Sequence, residues 1–351
     1  MERSRVLSWL REEDPGRLEE LWARADEARR AHAGDEVHLR GLVELSNRCV
    51  RSCGYCGIRA GASVERYRLS EDEVLSCARE AVAYGYGTLV LQAGEDPSLD
   101  RADVETLVRR IKAETPLAVT LSLGERDEGD LAAWRAAGAD RYLLRFETSD
   151  PELYRLVHPS LPGRPSDRIA LLRVLKGLGY ETGSGVMLGL PGQTFASVAD
   201  DLLLFRELDL DMIGVGPYLA HPGTPLGRGV LPRDISAREQ VPATELMTYK
   251  VVALARLLRP DANIPSTTAL ATLNRAGGRE HGLRRGANVV MPNLTPVRCR
   301  PLYEIYPAKA CVYETADSCH ACLLQRIRSL GRVPGTGPGS RRGRAVSDSV
   351  L

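Results

Sequence analysis

Aromatic residues and a net charge of either sign are what this sequence has least of. Phe, Trp and Tyr make up 5% of its 351 residues, and Lys and Arg (47) almost balance Asp and Glu (46), which leaves a formal net charge of +1. A chain so close to neutral lacks the basic field that nucleic acid requires, so we expect no nucleic-acid partner. No uninterrupted apolar stretch is long enough to cross a bilayer, and the first residues lack the apolar core of a signal peptide. We therefore expect a cytoplasmic globular protein without a membrane partner.

Cysteine, by contrast, occurs eight times. In a cytoplasmic protein this number favours metal ligation or redox chemistry over disulfides. Cys49, Cys53 and Cys56 have the spacing C-x3-C-x2-C. Three thiolates leave one position of a four-ligand shell open, so a 4Fe-4S cluster held here would keep one iron free to bind another molecule. A structural zinc or plain core thiols are the alternatives, but zinc needs a fourth Cys or His, and none follows at finger spacing.

Eight apolar, β-branched segments alternate with segments of helical periodicity. The predicted strands are 37–46, 88–93, 118–123, 141–147, 183–189, 212–219, 263–268 and 287–291. The predicted helices are 15–33, 71–85, 101–114, 129–137, 166–179, 195–208, 243–259 and 275–285, and Ser70 with Glu73 forms a capping box before the second of them. Strict alternation predicts an α/β fold of the parallel (βα)8 TIM-barrel type, and the absence of a Rossmann glycine fingerprint argues against a doubly wound sheet.

The chain divides into four predicted parts. A helical extension over 1–35 precedes the barrel at 36–295, and 296–330 form a C-terminal extension that contains a second group of cysteines. From Gly331 onward the sequence is rich in Gly, Pro and Arg. Such a composition buries too little apolar surface to fold, so 331–351 are predicted to be a disordered tail.

Polar residues concentrate at the predicted carboxyl ends of the strands, where barrels of this type have their active sites. Gly94 and Glu95 follow the second strand, where a glycine allows close approach of a ligand and a carboxylate can hold an ammonium group. Thr120 and Ser122 share one face of the third strand. The remaining candidates are Arg141, Arg145, Glu147, Arg168, Met212, Thr267 and Thr268. A plain turn, surface arginines and a core methionine are the alternative interpretations.

A second cysteine group lies near the C-terminal end. Cys311, Cys319 and Cys322 have the spacing C-x7-C-x2-C, and Cys299 is a potential fourth ligand. The spacing predicts a second iron–sulfur cluster or a zinc site, with plain thiols as the alternative.

Motifs distributed over residues 36–330 together resemble one family. They are the cysteine loop SNRCVRSCGYCGIR, in which Tyr55 precedes the third cysteine, and then LQAGEDP, VTLSLGE, GADRYLLRFET, GLPGQT, HPGTP, PSTTA and GANVVMPN. In this order they are similar to the radical S-adenosylmethionine (SAM) maturases of FeFe hydrogenase, the HydE type. The cysteine triplet alone would indicate only the radical SAM superfamily. Methylornithine synthase and, more distantly, biotin synthase are related families.

The resemblance implies cofactors and residue roles. Cys49, Cys53 and Cys56 would ligate a 4Fe-4S cluster whose open iron binds SAM. The residues implied to hold SAM are Gly94, Glu95, Ser122, Arg145, Glu147, Arg168 and Met212. Those implied to line the substrate cavity are Thr120, Arg141, Thr267, Thr268, Tyr303 and Tyr306. Cys311, Cys319 and Cys322 match an optional second cluster site of the 2Fe-2S type.

The same resemblance implies an activity. It is the reductive cleavage of SAM to a 5′-deoxyadenosyl radical, in assembly of the two-iron subcluster of the hydrogenase H-cluster. The implied partners are a small organometallic substrate, the other hydrogenase maturation proteins, and flavodoxin or ferredoxin as electron donor. The alternatives are a radical SAM mutase or carbon–sulfur enzyme acting on an amino acid, and a non-catalytic iron–sulfur carrier. Ala93 and Phe146 depart from the family pattern, where serine and histidine are frequent, and leave the substrate open.

Overall fold

Parallel strands follow one another around the sheet in the order β6-β5-β4-β3-β2-β1-β7. The computed structural model describes residues 1–230 and 232–342. The strands are β1 (Glu36–Ser46), β2 (Thr88–Ala93), β3 (Ala118–Ser122), β4 (Arg141–Leu143), β5 (Glu181–Leu188), β6 (Met212–Pro217) and β7 (Val289–Val290). Strands β1, β2 and β5 are buried over most of their length, as expected for parallel strands covered on both faces. The predicted α/β barrel is confirmed.

The predicted strand at 263–268 is not formed as a continuous strand. Single parallel bridges join Asn263 to Met212 of β6 and Pro265 to Val289 of β7, and they close the ring between these two strands. Pro265 has no backbone N–H to donate to a ladder, which limits pairing at this position. Residues 263–265 therefore take the place of the predicted seventh strand, between β6 and β7, and two single bridges complete the ring there.

Helices cover the outside of the ring. They are α1 (Arg3–Leu10), α2 (Pro15–Ala33), α3 (Glu71–Ala83), α4 (Arg101–Glu114), α5 (Glu128–Ala136), α6 (Pro151–Val157), α7 (Arg168–Gly177), α8 (Phe195–Glu207), α9 (Glu245–Leu258), α10 (Thr268–Leu273), α11 (Gly278–Arg284) and α12 (Ala316–Ser329). The predicted capping box is present, because Ser70 accepts from the Glu73 backbone while the Glu73 side chain accepts from Ser70. Within the part of the chain that the structure describes, a helix with the length and apolarity to cross a membrane is not found.

The N-terminal helices pack on the barrel instead of standing apart from it. Helix α1 contacts α8 and α9, and α2 lies along α9. Their buried side chains include Trp9, Leu10, Leu21 and Trp22, which join the main hydrophobic core. Apolar burial of this size stabilises the extension on the barrel.

The prediction of a disordered tail is wrong for residues 331–342. Strand β8 (Val333–Pro334) pairs in parallel with β1, and the following residues 335–341, here called the closing segment, cover the amino-terminal end of the barrel. Gly87 shows how closely this segment approaches, since a Cβ there would lie 1.6 Å from the carbonyl oxygen of Gly337. The segment is held by hydrogen bonds to its backbone carbonyls and by ion pairs of Arg341, and not by apolar burial, which is why composition did not reveal it. The rest of the predicted tail, 343–351, lies outside the described residues.

Candidate active site

A cavity of about 340 Å³ opens at the carboxyl ends of the strands. It brings together most residues that the sequence indicated. They are Cys49, Cys53, Cys56, Gly94, Glu95, Thr120, Ser122, Arg145, Glu147, Arg168, Met212, Thr267, Thr268, Tyr303 and Tyr306. The cysteine loop, the strand ends and the C-terminal extension therefore line one cavity.

Arg141 is not among the cavity residues, which corrects the prediction that it lines the substrate site. It begins β4, at the opposite end of the strand from the cysteines. Its guanidinium pairs with Glu181 at 2.5 Å and donates to the Thr88 hydroxyl, the Pro338 carbonyl and the Ser340 hydroxyl. The register of β4 thus places Arg141 against the closing segment.

The cysteine loop (residues 47–57) is fixed by backbone hydrogen bonds to three different parts of the protein. Val50 N donates to the Glu95 carbonyl at 3.0 Å, Gly54 N to Val157 at 2.8 Å, and Gly57 N to Ile305 at 3.0 Å. Gly94 allows the loop to lie against the end of β2, because a Cβ there would be 2.3 Å from the Arg48 carbonyl oxygen. The close approach at Gly94 that the sequence predicted is thus made by the loop itself.

The three thiols of this loop fit a cluster better than a single ion. Among the residues that the structure describes, no three Cys, His, Asp or Glu side chains are arranged to hold one metal ion. A four-iron cluster instead takes each thiolate on a different iron, which suits sulfurs spread around a cavity wall. Burial raises the pKa of Cys53 to about 12 and also raises the pKa of Cys49. Thiolates in such surroundings need a bound metal to remain deprotonated.

Glu147 faces the cavity from a strained backbone position. Its φ of 62° lies in the left-handed region, which is uncommon for a residue with a side chain. Its carboxylate oxygen Oε2 forms an ion pair with Arg145 Nη2 at 3.0 Å, although the two groups are not aligned for a hydrogen bond. A left-handed backbone conformation and a carboxylate with unused hydrogen-bonding capacity, both at one cavity residue, are typical of a ligand-binding position.

An ionic network that sequence reasoning missed lies beside the cysteines. Arg51, from the cysteine loop, pairs with Glu95 at 2.7 Å and with Glu125 at 2.9 Å. Glu125 also pairs with Arg168 at 2.8 Å, and a second Arg168 nitrogen donates to His158 Nε2 at 2.7 Å. Burial, together with Arg168 and Arg51, lowers the pKa of His158 to about 2, so its ring is neutral and accepts this hydrogen bond. The position of a charged residue between two of the predicted ligand cysteines was the available signal for Arg51.

The deeper walls combine ionic and polar groups. Arg40 donates to the Met212 sulfur at 2.9 Å, and Lys309 from the C-terminal extension pairs with the buried Glu44 of β1. The hydroxyls of Thr120 and Thr267 are buried without a hydrogen-bond partner. Buried hydroxyls are normally satisfied, so these two are available to a polar ligand.

The two departures from the family pattern lie in different surroundings. Ala93 lines the cavity. Phe146 instead faces the core, where its ring packs 5.7 Å from that of Phe205. Of the two, only Ala93 changes the shape of the cavity directly.

Only two members of the second cysteine group, Cys311 and Cys319, lie next to each other. Cys311 accepts from Arg279 at 3.6 Å, and the neighbouring Cys319 thiol together with Arg279 lowers the pKa of Cys311. Cys322 is exposed on α12 and accepts from Arg326 at 3.3 Å. Cys299 is buried, and its nearest charged neighbours are Arg298 and Glu73. The geometry thus pairs Cys311 with Cys319 more closely than it gathers all four.

Comparison with known proteins gives matches over the barrel and over the whole chain. The model of the radical SAM superfamily matches residues 43–205. The FeFe hydrogenase maturase subunit HydE of Thermotoga maritima is 46% identical over 330 residues, which are 94% of this chain and 90% of that protein. A 3-methylornithine synthase of Methanosarcina acetivorans is 32% identical over 291 residues, 81% of this chain and 76% of that protein.

Solved structures show the same fold. The crystal structure of methylornithine synthase (PylB) superposes with a TM-score of 0.78 at 25% identity, covering 95% of this chain and 94% of that one. The maturase HydG superposes with a TM-score of 0.76 at 18% identity, covering 95% and 72% of the two chains. The second likeness concerns the fold alone.

Proposed function

Because the chain belongs to the radical SAM superfamily, and within it to the family of the FeFe hydrogenase maturase HydE, we propose that it cleaves SAM reductively during assembly of the two-iron subcluster of the H-cluster. The observation that carries the proposal is the set of three thiols on one cavity wall, in a chain 46% identical to that maturase. A cavity recessed in the barrel suits radical chemistry because its walls limit the access of water and other hydrogen donors to the reacting groups.

The proposed cluster ligands are Cys49, Cys53 and Cys56. When bound, a 4Fe-4S cluster supplies the electron that breaks SAM into methionine and a 5′-deoxyadenosyl radical. The protein contributes a loop fixed from three sides, so that the thiols are held in place before the cluster binds. We assign the barrel to 36–295 and the extension that completes the cavity to 296–330.

The proposed SAM residues are Gly94, Glu95, Ser122, Arg145, Glu147, Arg168 and Met212. The Glu147 carboxylate, which pairs with Arg145 through Oε2, can accept from the SAM ammonium group, and Arg168 can donate to the SAM carboxylate. Glu95 is already paired with Arg51, so its contribution to an ammonium site is shared with that ion pair.

The proposed substrate residues are Thr120, Thr267, Thr268, Tyr303 and Tyr306. They line the same cavity and offer hydroxyl groups to a small organometallic substrate. The other hydrogenase maturation proteins are the proposed partners, and flavodoxin or ferredoxin is the proposed electron donor. The support for these partners is the 46% identity of this chain to the maturase HydE.

A second cluster at Cys311, Cys319 and Cys322 is a separate proposal, of the 2Fe-2S type. Cys311 and Cys319 are in contact, while Cys322 must turn from Arg326 to join them. After anaerobic reconstitution, Cys319→Ala should lower the iron and sulfide content by about two atoms each while SAM cleavage continues. Unchanged iron content in this variant would remove the second cluster from the proposal.

The test of the main proposal is anaerobic reconstitution, followed by dithionite and SAM, with 5′-deoxyadenosine as the product measured. Cys53→Ala should abolish the product because a cluster ligand is lost. Cys77→Ala is the matched control, since Cys77 is a buried thiol outside the cavity that donates to the Leu294 carbonyl. If the wild type forms no 5′-deoxyadenosine, a non-catalytic carrier replaces the enzyme.

A radical SAM mutase acting on an amino acid is the second candidate, favoured by the likeness to the methylornithine synthases. Both candidates predict 5′-deoxyadenosine, so the cleavage assay does not separate them. Whether the source genome encodes an FeFe hydrogenase does separate them, because a maturase has no role without its target.

A further inference from the structure

Two guanidinium groups and two carboxylates form a buried ring beside the cavity. Arg51 pairs with Glu95 and with Glu125, Glu125 pairs with Arg168, and Arg168 returns to within 4.0 Å of Glu95. The Glu125 backbone N–H also donates to Glu95 Oε2 at 3.1 Å. The four side chains are at most 13% exposed. We call these four residues the ionic ring.

Each member of the ionic ring comes from a different element of the site. Arg51 belongs to the cysteine loop, between Cys49 and Cys53. Glu95 follows β2, Glu125 follows β3, and Arg168 begins α7. The ring therefore ties the cluster loop to the helix that carries a SAM-binding candidate.

The ring and its neighbours leave Arg168 one orientation. Its Nε donates to Glu125 at 2.8 Å, Nη1 to the Arg145 carbonyl at 2.7 Å, and Nη2 to His158 at 2.7 Å. A free arginine side chain loses considerable rotamer entropy when it binds a ligand, and a side chain already held in place does not. Three of its five N–H groups are used in this way, and the remainder are free to donate.

The charges of the ionic ring balance, two positive against two negative. Oε2 of Glu125 pairs with Arg51 and Oε1 pairs with Arg168. This carboxylate therefore bridges the two guanidinium groups and offsets their mutual repulsion. Replacing it by an amide would leave two buried cations with one carboxylate. Repulsion would then move Arg168 from its position, since breaking one partner of a buried ion pair leaves an uncompensated charge.

We propose that Glu125 and Arg51 are positioning residues for SAM, because they hold the Arg168 side chain and the cysteine loop at a fixed distance and orientation from each other. The inference rests on the proposed function, because SAM is the ligand that Arg168 is proposed to bind. Neither residue needs to touch SAM; both act through Arg168 and the loop.

The test compares Glu125→Gln, Glu125→Asp and the surface control Glu128→Gln in the reconstituted protein. We expect Glu125→Gln to weaken equilibrium binding of SAM about tenfold, in line with loss of one charge-assisted contact. Its iron content should stay that of the wild type, and the change that SAM causes in the electron paramagnetic resonance spectrum of the reduced cluster should be reduced. Glu125→Asp should restore part of the affinity, and Glu128→Gln, on an exposed residue of α5, should behave as wild type.

SAM affinity is measured without turnover, so the proposal is separable from the proposed function. A wild type that binds SAM but forms no 5′-deoxyadenosine refutes the proposed function. The positioning role is then still decided by the SAM affinity of Glu125→Gln relative to that of the wild type. Wild-type affinity in Glu125→Gln overturns the positioning role, as does absence of SAM binding to the wild type. If Glu125→Gln does not fold, Arg51→Lys keeps the charge but loses the fork that engages two carboxylates, and it should weaken SAM binding similarly. Failure of both variants to retain the cluster would show a purely structural ring and overturn the proposal.

Discussion

Arg40, in the first strand of the barrel, donates from Nη2 to the backbone carbonyl of Gly339 at 3.0 Å, across 299 positions of sequence. Asn263 donates to the same carbonyl at 3.0 Å, and Thr88 and Arg141 donate to the carbonyl of Pro338. Side chains from several strands thus find their hydrogen-bond acceptors in the closing segment. Arg40 also donates to the sulfur of Met212, which lines the cavity. The closing segment is therefore connected to the cavity wall through Arg40.

We expect Arg341→Ala to destabilise the protein by about 3 kcal/mol. Arg341 is 16% exposed and pairs with Asp209, Asp211 and Asp261, which lose this shared cation in the variant. Arg342→Ala is the control, because Arg342 is 55% exposed and its single ion pair with Glu36 is worth less than about 1 kcal/mol. Denaturant unfolding of both variants measures the difference, and equal losses would contradict the closing role of Arg341.

Acidification should destabilise the barrel through His38, which lies against Gly335 and Gly339 of the closing segment. Burial, with the nearby Arg40 and Arg141, lowers the pKa of His38 to about 4 in the folded protein, while Glu36 opposes this shift. The unfolded chain binds this proton below its own pKa of about 6.5, so unfolding is favoured as the pH falls from about 6.5 to about 4. The expected loss is on the order of 1.4 kcal/mol per pH unit, complete near pH 4.

His38→Asn should remove this contribution from the pH dependence. The free energy of unfolding of both proteins, measured by denaturant titration between pH 7 and pH 4, gives the comparison. A variant with the same slope as the wild type would show that other groups cause the acid sensitivity.

Gly94→Ala should prevent normal assembly of the cysteine loop. The added Cβ would lie 2.3 Å from the Arg48 carbonyl and 2.8 Å from the Cys49 Cβ, so the loop must move. We expect iron content after reconstitution to fall to less than about half of wild type, since three ligands depend on that loop. Gly177→Ala in α7 is the control, because a Cβ there meets no atom within 4 Å and alanine favours helix. Wild-type iron content in Gly94→Ala would contradict this account.

Glu147→Gly should separate stability from activity. Glycine adopts a φ of 62° without the penalty of about 1 kcal/mol that a side chain incurs, and loss of the pair with Arg145, which is 30% exposed, costs about as much, so the free energy of unfolding should be nearly unchanged. Formation of 5′-deoxyadenosine should fall by about 100-fold, because the acceptor proposed for the SAM ammonium group is lost. Thermal unfolding and product formation are measured on the same preparation. A variant that is both less stable and fully active would refute the assigned role.

Local patterns made most of the barrel predictable. Periodicity indicated β1, β2 and β3 within two residues of their bounds, and the Ser70 capping box gave the start of α3. The seventh strand was overpredicted, because its β-branched residues fit a strand while Pro265 and single bridges limit the ladder. The cysteine spacing named three side chains that do share a cavity wall.

Arg141 and the closing segment show where local patterns fail. Arg141 was expected to line the cavity, but whether a side chain at its position faces the cavity or the opposite end depends on its depth along the barrel axis, which the strand pattern does not give. The closing segment has the composition of a disordered tail, and it is ordered because the barrel end supplies donors for its carbonyls and carboxylates for Arg341.

The sequence by itself determined the barrel fold, the cysteine triplet and the strand ends from which the site is built, because hydrophobic periodicity, capping and ligand spacing act over a few residues. Only the tertiary structure decided which charges meet. The pairs Arg51–Glu125 and Lys309–Glu44, the latter 265 positions apart, follow from the closure of the ring and not from any spacing along the chain. An ion pair depends on the distance between two groups in space, and closure of the barrel sets that distance.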